Sequence, residues 1–264
     1  MADNAVVITV RQLTRNFRAE EEPRTLFRVL RESVTGGHVA PEPRRAVREL
    51  SLEVSHGDRI AIVGNNAAGK STLLKIIAGL LRPTTGSVEV RGEMVLLTSL
   101  GVGMIEELSV SDNTLMYGAL YGVEPAKMRT LLAEVLEWAG IPGFEYTKLK
   151  HLSTGTRARL AFSVVRHIAA DILLIDEALA AGDLSFQKKT RAFFEEPQHH
   201  DRTFLVATHD MDFARTFCTK ALWLDRGTVV AFGDSVSVVT RYVEAQTGAV
   251  DGAHRESLPV EVSK

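Results

Sequence analysis

The stretch "RIAIVGNNAAGKST", from Arg59 to Thr72, is the strongest indication of the fold class. Its apolar run ends at Gly64 and predicts a buried strand, and the apolar spacing of the following "STLLKIIAGLL" predicts a helix. Between them, "GNNAAGKST" matches the phosphate-loop pattern G-x-x-x-x-G-K-[ST] in the strand–loop–helix context that this motif requires. Backbone N–H groups of such a loop, together with the helix N-terminus, wrap phosphate oxygens. The sequence therefore predicts a nucleotide-binding α/β fold.

The loop supplies the first candidate site residues. Gly64 and Gly69 allow tight turning and close approach of the phosphates. Lys70 places a positive charge on the β- and γ-phosphates, and the Ser71 hydroxyl is a candidate Mg²⁺ ligand. The predicted ATP-binding residues of the loop are Gly64, Asn65, Asn66, Ala67, Ala68, Gly69, Lys70, Ser71 and Thr72.

A second apolar run, "DILLIDE", supplies candidate hydrolytic residues. Ile172–Ile175 predict a core strand, and Asp176 and Glu177 stand at its carboxyl end, where open α/β sheets bind ligands. We expect Asp176 to hold Mg²⁺ and Glu177 to act as the general base on the attacking water. The stretch "LVATHD" repeats this pattern, and His209 is a candidate hydrogen-bond partner for the γ-phosphate. Lys70, Glu177 and His209 form the predicted catalytic set.

The rest of the chain predicts an α/β domain with insertions. Strands that alternate with helices favour a mostly parallel sheet. Residues from about 91 to 170 are rich in helical patterns and contain no clear buried strand, which predicts an inserted helical subdomain. Residues 18–45 predict a short amphipathic helix and a loop, which either pack on their own domain or dock on a partner. Residues 1–246 form the predicted ATP-binding domain, and residues 247–264 form a loose tail.

Composition restricts the class of partner. The formal net charge is -2, which argues against non-specific binding to nucleic acid. We expect no nucleic-acid partner. The single cysteine, Cys218, cannot form an internal disulfide and fits a reducing compartment as a buried, inert thiol. The N-terminus has no secretory pattern, and no uncharged apolar run reaches the roughly 20 residues that cross a bilayer. We expect any membrane association to depend on another chain.

A second anion-binding turn lies in "HLSTGTRARLAF", from His151 to Phe162. The apolar face after it predicts a helix that begins at Thr156 or Arg157, and the positive end of that helix favours an anion. Taken alone, the turn also fits an ordinary serine cap. The candidate turn residues are Ser153, Thr154, Gly155 and Thr156.

Together these motifs resemble the nucleotide-binding subunits of ABC transporters, from about Ala5 to Gln246. The order is that of the family: phosphate loop, helical subdomain, LSGGQ-like signature turn, aspartate–glutamate strand, D-loop and histidine. The D-loop is "ALAAGD", ending at Asp183. The resemblance implies a P-loop NTPase of the ABC type: an α/β core with a mixed, mostly parallel sheet, an antiparallel β subdomain and an inserted helical subdomain.

The same resemblance implies a composite site and its partners. Two chains would pack head to tail as a homodimer, with each ATP and its Mg²⁺ between the phosphate loop of one chain and the signature turn of the other. Phe17 occupies the place of the aromatic residue that stacks on the adenine. ATP-driven closure would act on two copies of a polytopic permease at the cytoplasmic face of the bacterial inner or plasma membrane, and hydrolysis would reopen the dimer.

Departures from the family pattern indicate one branch. The turn reads Leu-Ser-Thr-Gly-Thr, Ala67 replaces a frequent glycine, and Ser99 stands near the position of the Q-loop glutamine. The stretches "LGVGMIEELSVSDN", "STGTRARLAFSVV" and "DEALAAGDLSFQKK" resemble subunits that export O-antigen, capsule or teichoic acid. We therefore expect a polysaccharide exporter subunit that lacks the additional carbohydrate-binding domain of some O-antigen members.

Three alternatives stay open. A soluble ABC-type ATPase of DNA repair or ribosome function usually carries two such domains or a long coiled-coil insertion. A small-molecule kinase would leave the serine–glycine turn and the D-loop without a role. An importer or another ABC transporter subunit shares the fold, and only the export-like motifs and the missing Q-loop glutamine weigh against it.

Overall fold

A computed structural model of the chain describes residues 5–17, 44–98, 100–176, 184–195 and 201–248. Within these ranges strands alternate with helices, as the sequence predicts. The strands are β1 (Val6–Phe17), β2 (Arg44–Ser55), β3 (Arg59–Val63), β4 (Thr85–Val90), β5 (Met94–Leu97), β6 (Ile172–Asp176), β7 (Thr203–Ala207), β8 (Lys220–Asp225) and β9 (Thr228–Asp234). The α-helices are α1 (Lys70–Ile77), α2 (Val110–Leu120), α3 (Pro125–Ala139), α4 (Thr154–Val165), α5 (Leu184–Glu195), α6 (Met211–Phe217) and α7 (Ser235–Thr247).

The strands form two sheets. The larger has the order β5-β6-β7-β3-β8-β9, in which neighbouring strands are parallel except for the antiparallel pair β8 and β9. The smaller is antiparallel, with the order β2-β1-β4. A mixed, mostly parallel sheet, an antiparallel β subdomain and inserted helices are therefore all present, and the predicted fold class is confirmed.

Two hydrophobic cores lie on opposite faces of the large sheet. Successive side chains of a strand point to opposite faces, and β3 shows this directly. Ala61 and Val63 belong to the cluster that contains the helical insertion, whereas Ile60 and Ile62 belong to the cluster under the antiparallel sheet and α1. All four are buried, so β3 is fixed from both sides. The loop that follows β3 is therefore anchored at the buried Val63.

The helical insertion contains α2, α3 and α4, but its predicted content was partly wrong. Residues 94–97 form β5, an edge strand of the large sheet, where the sequence showed no clear buried strand. The run is four residues long and only Leu97 is fully buried, so periodicity alone does not separate it from a helix. Among the described residues, no helix is long and apolar enough to cross a membrane.

The described ranges also limit two boundaries. β2 begins at Arg44, just before the expected end of the 18–45 insertion, and residues 18–43 lie outside the described residues. The last helix, α7, ends at Thr247 and is followed by Gly248 in a left-handed conformation. The predicted tail is outside the described residues from position 249 onward.

Candidate nucleotide-binding site

The phosphate loop connects β3 to α1, as predicted. Gly64 has φ +149° and Gly69 has φ +111°. A Cβ atom at Gly64 would lie 2.2 Å from the Leu224 carbonyl oxygen, and one at Gly69 would lie 2.3 Å from that of Ala46. Glycine is therefore required at both positions by close backbone approach as well as by conformation.

Ala67, which stands where glycine is frequent, has φ +64°. An L-residue with a side chain costs about 1–2 kcal/mol in this region. The loop therefore reaches its wrapped shape with some backbone strain, which the surrounding contacts must hold.

Lys70 is directed back over the loop. Its side chain is buried, and Nζ donates to the carbonyl oxygens of Gly64 (2.8 Å) and Asn65 (3.3 Å). Nζ also lies 3.3 Å from Nε2 of His209. A buried ammonium needs such partners. Their geometry holds the positive charge at the loop, where a phosphate would lie.

Ser71 and Asp176 come together from different elements. The Ser71 hydroxyl donates to Oδ1 of Asp176 at 2.8 Å, and Asp176 is buried at the end of β6. Hydroxyl and carboxylate oxygens suit Mg²⁺, which binds through one or two carboxylates and fills its other positions with phosphates and waters. Among the residues that the structure describes, no cluster of three His, Cys, Asp or Glu side chains could hold a metal. One hydroxyl and one carboxylate, as in the Ser71–Asp176 pair, fit Mg²⁺ that is bound together with a nucleotide.

The sheet order explains why these residues meet. β3 pairs with β7, and β7 pairs with β6, all in parallel. Their carboxyl ends therefore share one edge, which carries Gly64, His209 and Asp176 respectively. Glu177, Ser99 and Asp183 lie outside the described residues, so their assigned roles stay predictions.

The signature turn caps α4. Ser153 is the N-cap residue, and its Oγ accepts from the Thr156 amide at 3.2 Å and lies 2.8 Å from Thr156 Oγ1. The helix begins at Thr154, so the predicted start at Thr156 or Arg157 was wrong by two or three residues, because the serine cap initiates it earlier. A Cβ atom at Gly155 would meet nothing within 4 Å. The described part of this chain therefore leaves room for an anion or a second chain at Gly155.

Phe17 ends β1 and is half-buried. The guanidinium carbon of Arg15 lies 4.6 Å from the centre of its ring, a cation–π distance. A ring has two faces, so stacking on an adenine at Phe17 would place the base opposite Arg15.

Two contacts to the phosphate loop were not predicted from the sequence. Nε2 of Gln246, near the end of α7, donates to Oδ1 of Asn65 at 2.9 Å. The amide of Gly227, in the turn between β8 and β9, donates to the carbonyl oxygen of Ala68 at 2.9 Å. The "DRG" turn was visible in the sequence, but its position against the loop depends on strand pairing far along the chain.

The model of the family described as ABC transporter matches residues 47–180. This chain belongs to the ABC transporter family. The predicted family and enzyme class, an ABC transporter ATPase domain, are thereby confirmed.

Several curated relatives of this chain are named as export ATP-binding proteins. The chain is 36% identical over 199 residues to the teichoic acids export ATP-binding protein TagH of Bacillus anthracis, covering 75% of this chain and 36% of that protein. It is 34% identical over 200 residues to the O-antigen export system ATP-binding protein RfbB of Myxococcus xanthus, covering 76% and 46%. Its match to the RfbB protein of Klebsiella pneumoniae is 31% identical over 200 residues, covering 76% and 81%. The chain spans between about a third and two thirds of the length of several of the curated relatives that it matches.

Solved structures show the same fold. The ATP-binding cassette MJ0796, in a dimeric post-hydrolysis state bound to ADP and Pi, superimposes with a TM-score of 0.66 at 21% identity, covering 86% of this chain and 98% of that one. An ATP-binding subunit of an ABC transporter gives a TM-score of 0.67 at 20% identity, covering 93% and 95%.

Proposed function

We propose that this chain is the ATP-hydrolysing subunit of an ABC exporter that drives a cell-surface polysaccharide, of O-antigen, capsule or teichoic acid type, through a separate transmembrane permease. The observation that carries the ATPase part is the convergence of Lys70, His209, Ser71 and Asp176 at one sheet edge around the phosphate loop. The names of the relatives, which concern teichoic acid and O-antigen export, support the substrate class.

We assign each described residue of the site a separate role in ATP binding or hydrolysis. Lys70 and the loop amides bind the β- and γ-phosphates, while Ser71 and Asp176 hold Mg²⁺, which supplies charge neutralisation on the phosphates when bound. His209, beside Lys70, is placed to orient the γ-phosphate and the attacking water. Glu177 follows Asp176 directly in the chain and is proposed as the base that accepts the proton of that water.

We propose that the site is completed by a second copy of the chain. The Ser153–Thr156 turn presents a helix N-terminus with open space at Gly155. Its helix α4 packs in the hydrophobic cluster of the helical insertion, whereas α1, which follows the phosphate loop, packs in the other cluster. The solved relative that is dimeric has ADP and Pi bound. In a head-to-tail homodimer, each turn would meet the γ-phosphate held by the partner chain.

A groove of about 770 Å³ supplies a candidate surface for the permease. It is lined by the end of α1, β5 and the connection between α2 and α3. Leu80 and Leu120 line this groove with 71% and 62% of their surfaces exposed. Large apolar side chains exposed together mark interaction surfaces. We propose that an apolar cytoplasmic segment of the permease binds there, which makes the permease the membrane attachment of this subunit.

A genetic test addresses both parts of this proposal. Deletion of the chain's gene is expected to abolish the cell-surface polysaccharide, and the wild-type chain is expected to restore it. Lys70→Ala is expected to restore nothing, because the phosphates lose their cation. Unchanged surface polysaccharide in the deletion strain would exclude the substrate class, whereas full rescue by Lys70→Ala would exclude ATP-driven export. Copurification with a six-span permease separates the transporter from a soluble ABC-type ATPase.

A further inference from the structure

The segment that leads into the signature turn is hydrogen-bonded to an earlier part of the helical insertion. The amide of Lys150 donates to the Glu106 carbonyl at 3.1 Å, and that of Leu149 donates to the Leu108 carbonyl at 3.0 Å. A bridge between Ser109 and Lys148 shows that the two segments are antiparallel. Residues 148–152, here called the entry segment, therefore have their backbone direction set by residues 106–109.

The side chain of Arg157 contacts both of these segments. Nε donates to the Leu152 carbonyl at 3.1 Å, and Nη2 donates to the Lys150 carbonyl at 3.2 Å. Nη1 lies 2.5 Å from Oε1 of Glu106. One planar guanidinium thus holds two carbonyls of the entry segment and one carboxylate of the segment beside it.

We infer that Arg157 is a positioning residue that sets the orientation of the signature turn. The Leu152 carbonyl belongs to the peptide unit that joins Leu152 to Ser153. Its hydrogen bond to Arg157 therefore fixes the plane of that peptide, and with it the orientation of the capping serine. The inference rests on the proposed function, in which Ser153 and Gly155 act on a nucleotide held by the partner chain. Arg157 itself touches no nucleotide in this account.

The fork geometry makes arginine specific for this role. Arginine carries five N–H donors in a rigid plane, whereas the ammonium of lysine is a point charge that cannot reach three partners spread around such a plane. Glu106 is 63% exposed, so solvent screens its pairing with Arg157 and the carbonyl contacts carry most of the positioning.

We expect the α4 helix to stay folded without Arg157. Its apolar face is buried, with Leu160, Ala161 and Val164 at 0% exposure. Removal of Arg157 is therefore expected to leave α4 in place while the entry segment and the turn lose their alignment. This separates a positioning role from a role in folding.

The test compares turnover with nucleotide affinity. Arg157→Ala, in the complex with the permease, is expected to lower kcat about tenfold, because small misplacements of a group that acts on the reacting centre cost one to two orders of magnitude. Affinity of the isolated chain for a fluorescent ATP analogue is expected to stay within about twofold, since the phosphate loop is untouched. Arg129→Ala, an exposed arginine on α3, is the matched control and is expected to change neither.

Two conservative variants and a double mutant test whether Arg157 acts through its fork geometry and through the turn. Arg157→Lys is expected to recover little of the lost kcat, and Glu106→Gln, which keeps an acceptor, is expected to lose less than about threefold. If Arg157 acts through the turn, adding Arg157→Ala to Ser153→Ala lowers kcat by clearly less than it does in the wild-type chain.

The outcomes distinguish the inference from the proposed function. If Ser153→Ala lowers kcat but Arg157→Ala does not, the positioning role is wrong and the composite site stands. If Ser153→Ala leaves kcat unchanged, the composite site itself fails. Equal losses of kcat and analogue affinity in Arg157→Ala, or full rescue by Arg157→Lys, would also overturn the positioning role.

Discussion

Gly227, in the turn between β8 and β9, is hydrogen-bonded to the phosphate loop. Its replacement by alanine tests how much this contact stabilises the loop. Its amide donates to the Ala68 carbonyl at 2.9 Å, and its carbonyl accepts from the Arg48 amide at 2.7 Å. Its φ is +82°, and a Cβ atom there would lie 2.8 Å from the carbonyl oxygen of Ala46. The substitution therefore imposes both backbone strain and a displacement of the turn.

The size of the effect follows from these two causes. An alanine in the left-handed region costs about 1–2 kcal/mol. Displacement of the turn weakens two backbone hydrogen bonds, each worth about 0.5–1.5 kcal/mol. We expect Gly227→Ala to lower the free energy of unfolding by about 3 kcal/mol, which corresponds to a fall in Tm of about 6–12 °C for a domain of this size. Nucleotide affinity is expected to fall as well, because Ala68 belongs to the phosphate loop.

Gly233→Ala is the matched control, since it makes the same chemical change in the same hairpin. A Cβ atom at Gly233 would meet nothing within 4 Å, and its φ lies outside the strained region. Its Tm is expected to stay within about 2 °C of the wild-type value, because such a change carries neither strain nor clash. Thermal unfolding followed by circular dichroism measures both variants. Equal Tm values for Gly227→Ala and Gly233→Ala would show that neither the left-handed φ nor the close contact at Gly227 requires glycine there.

Three further predictions concern other parts of the fold. Burial lowers the pKa of His167, so the folded state resists its protonation, and stability is expected to fall as pH drops from about 6.5 through the lowered pKa. His167→Gln should flatten that part of the stability–pH curve, and an unchanged curve contradicts the assignment. Burial raises the pKa of the Cys218 thiol to about 12, so iodoacetamide is expected to modify it slowly in the native chain and rapidly after unfolding; alkylation of the native chain at the rate of a free thiol contradicts this. Leu120→Glu is expected to reduce copurification with the permease at least about tenfold, whereas Val236→Glu, an exposed apolar position on α7, is not; equal effects of the two variants argue against the groove.

The sequence was sufficient wherever a local pattern specifies local geometry. The strand β3, the loop after Gly64 and the helix α1 follow from apolar spacing and glycine placement within the 19 residues from Arg59 to Ile77. Asp176 and His209 were predicted at strand ends, and the parallel pairing of β3, β7 and β6 places them at the same edge as the loop. The roles assigned to them stay predictions.

The remaining features depend on contacts between distant residues. Gln246 and Asn65 are 181 positions apart, and neither has a residue type that indicates the other. Arg157 looked like one basic residue in a helix, and its fork becomes visible only when the carbonyls of Lys150 and Leu152 are placed beside it. Strand β5 was missed because its edge position depends on pairing with β6.

We propose that a second copy of this chain completes each ATP site. Sedimentation of a Glu177→Gln chain, with the amount of bound ATP counted in the sedimenting species, tests it most directly, because loss of the proposed base should trap the closed state. We expect a monomer without nucleotide, a dimer that holds two ATP molecules at saturating ATP and Mg²⁺, and a persistent monomer when Lys70→Ala is added. A Glu177→Gln chain that stays monomeric with one ATP bound, beside a wild-type chain whose turnover per molecule is independent of its concentration, would mean that one chain forms the ATP site alone.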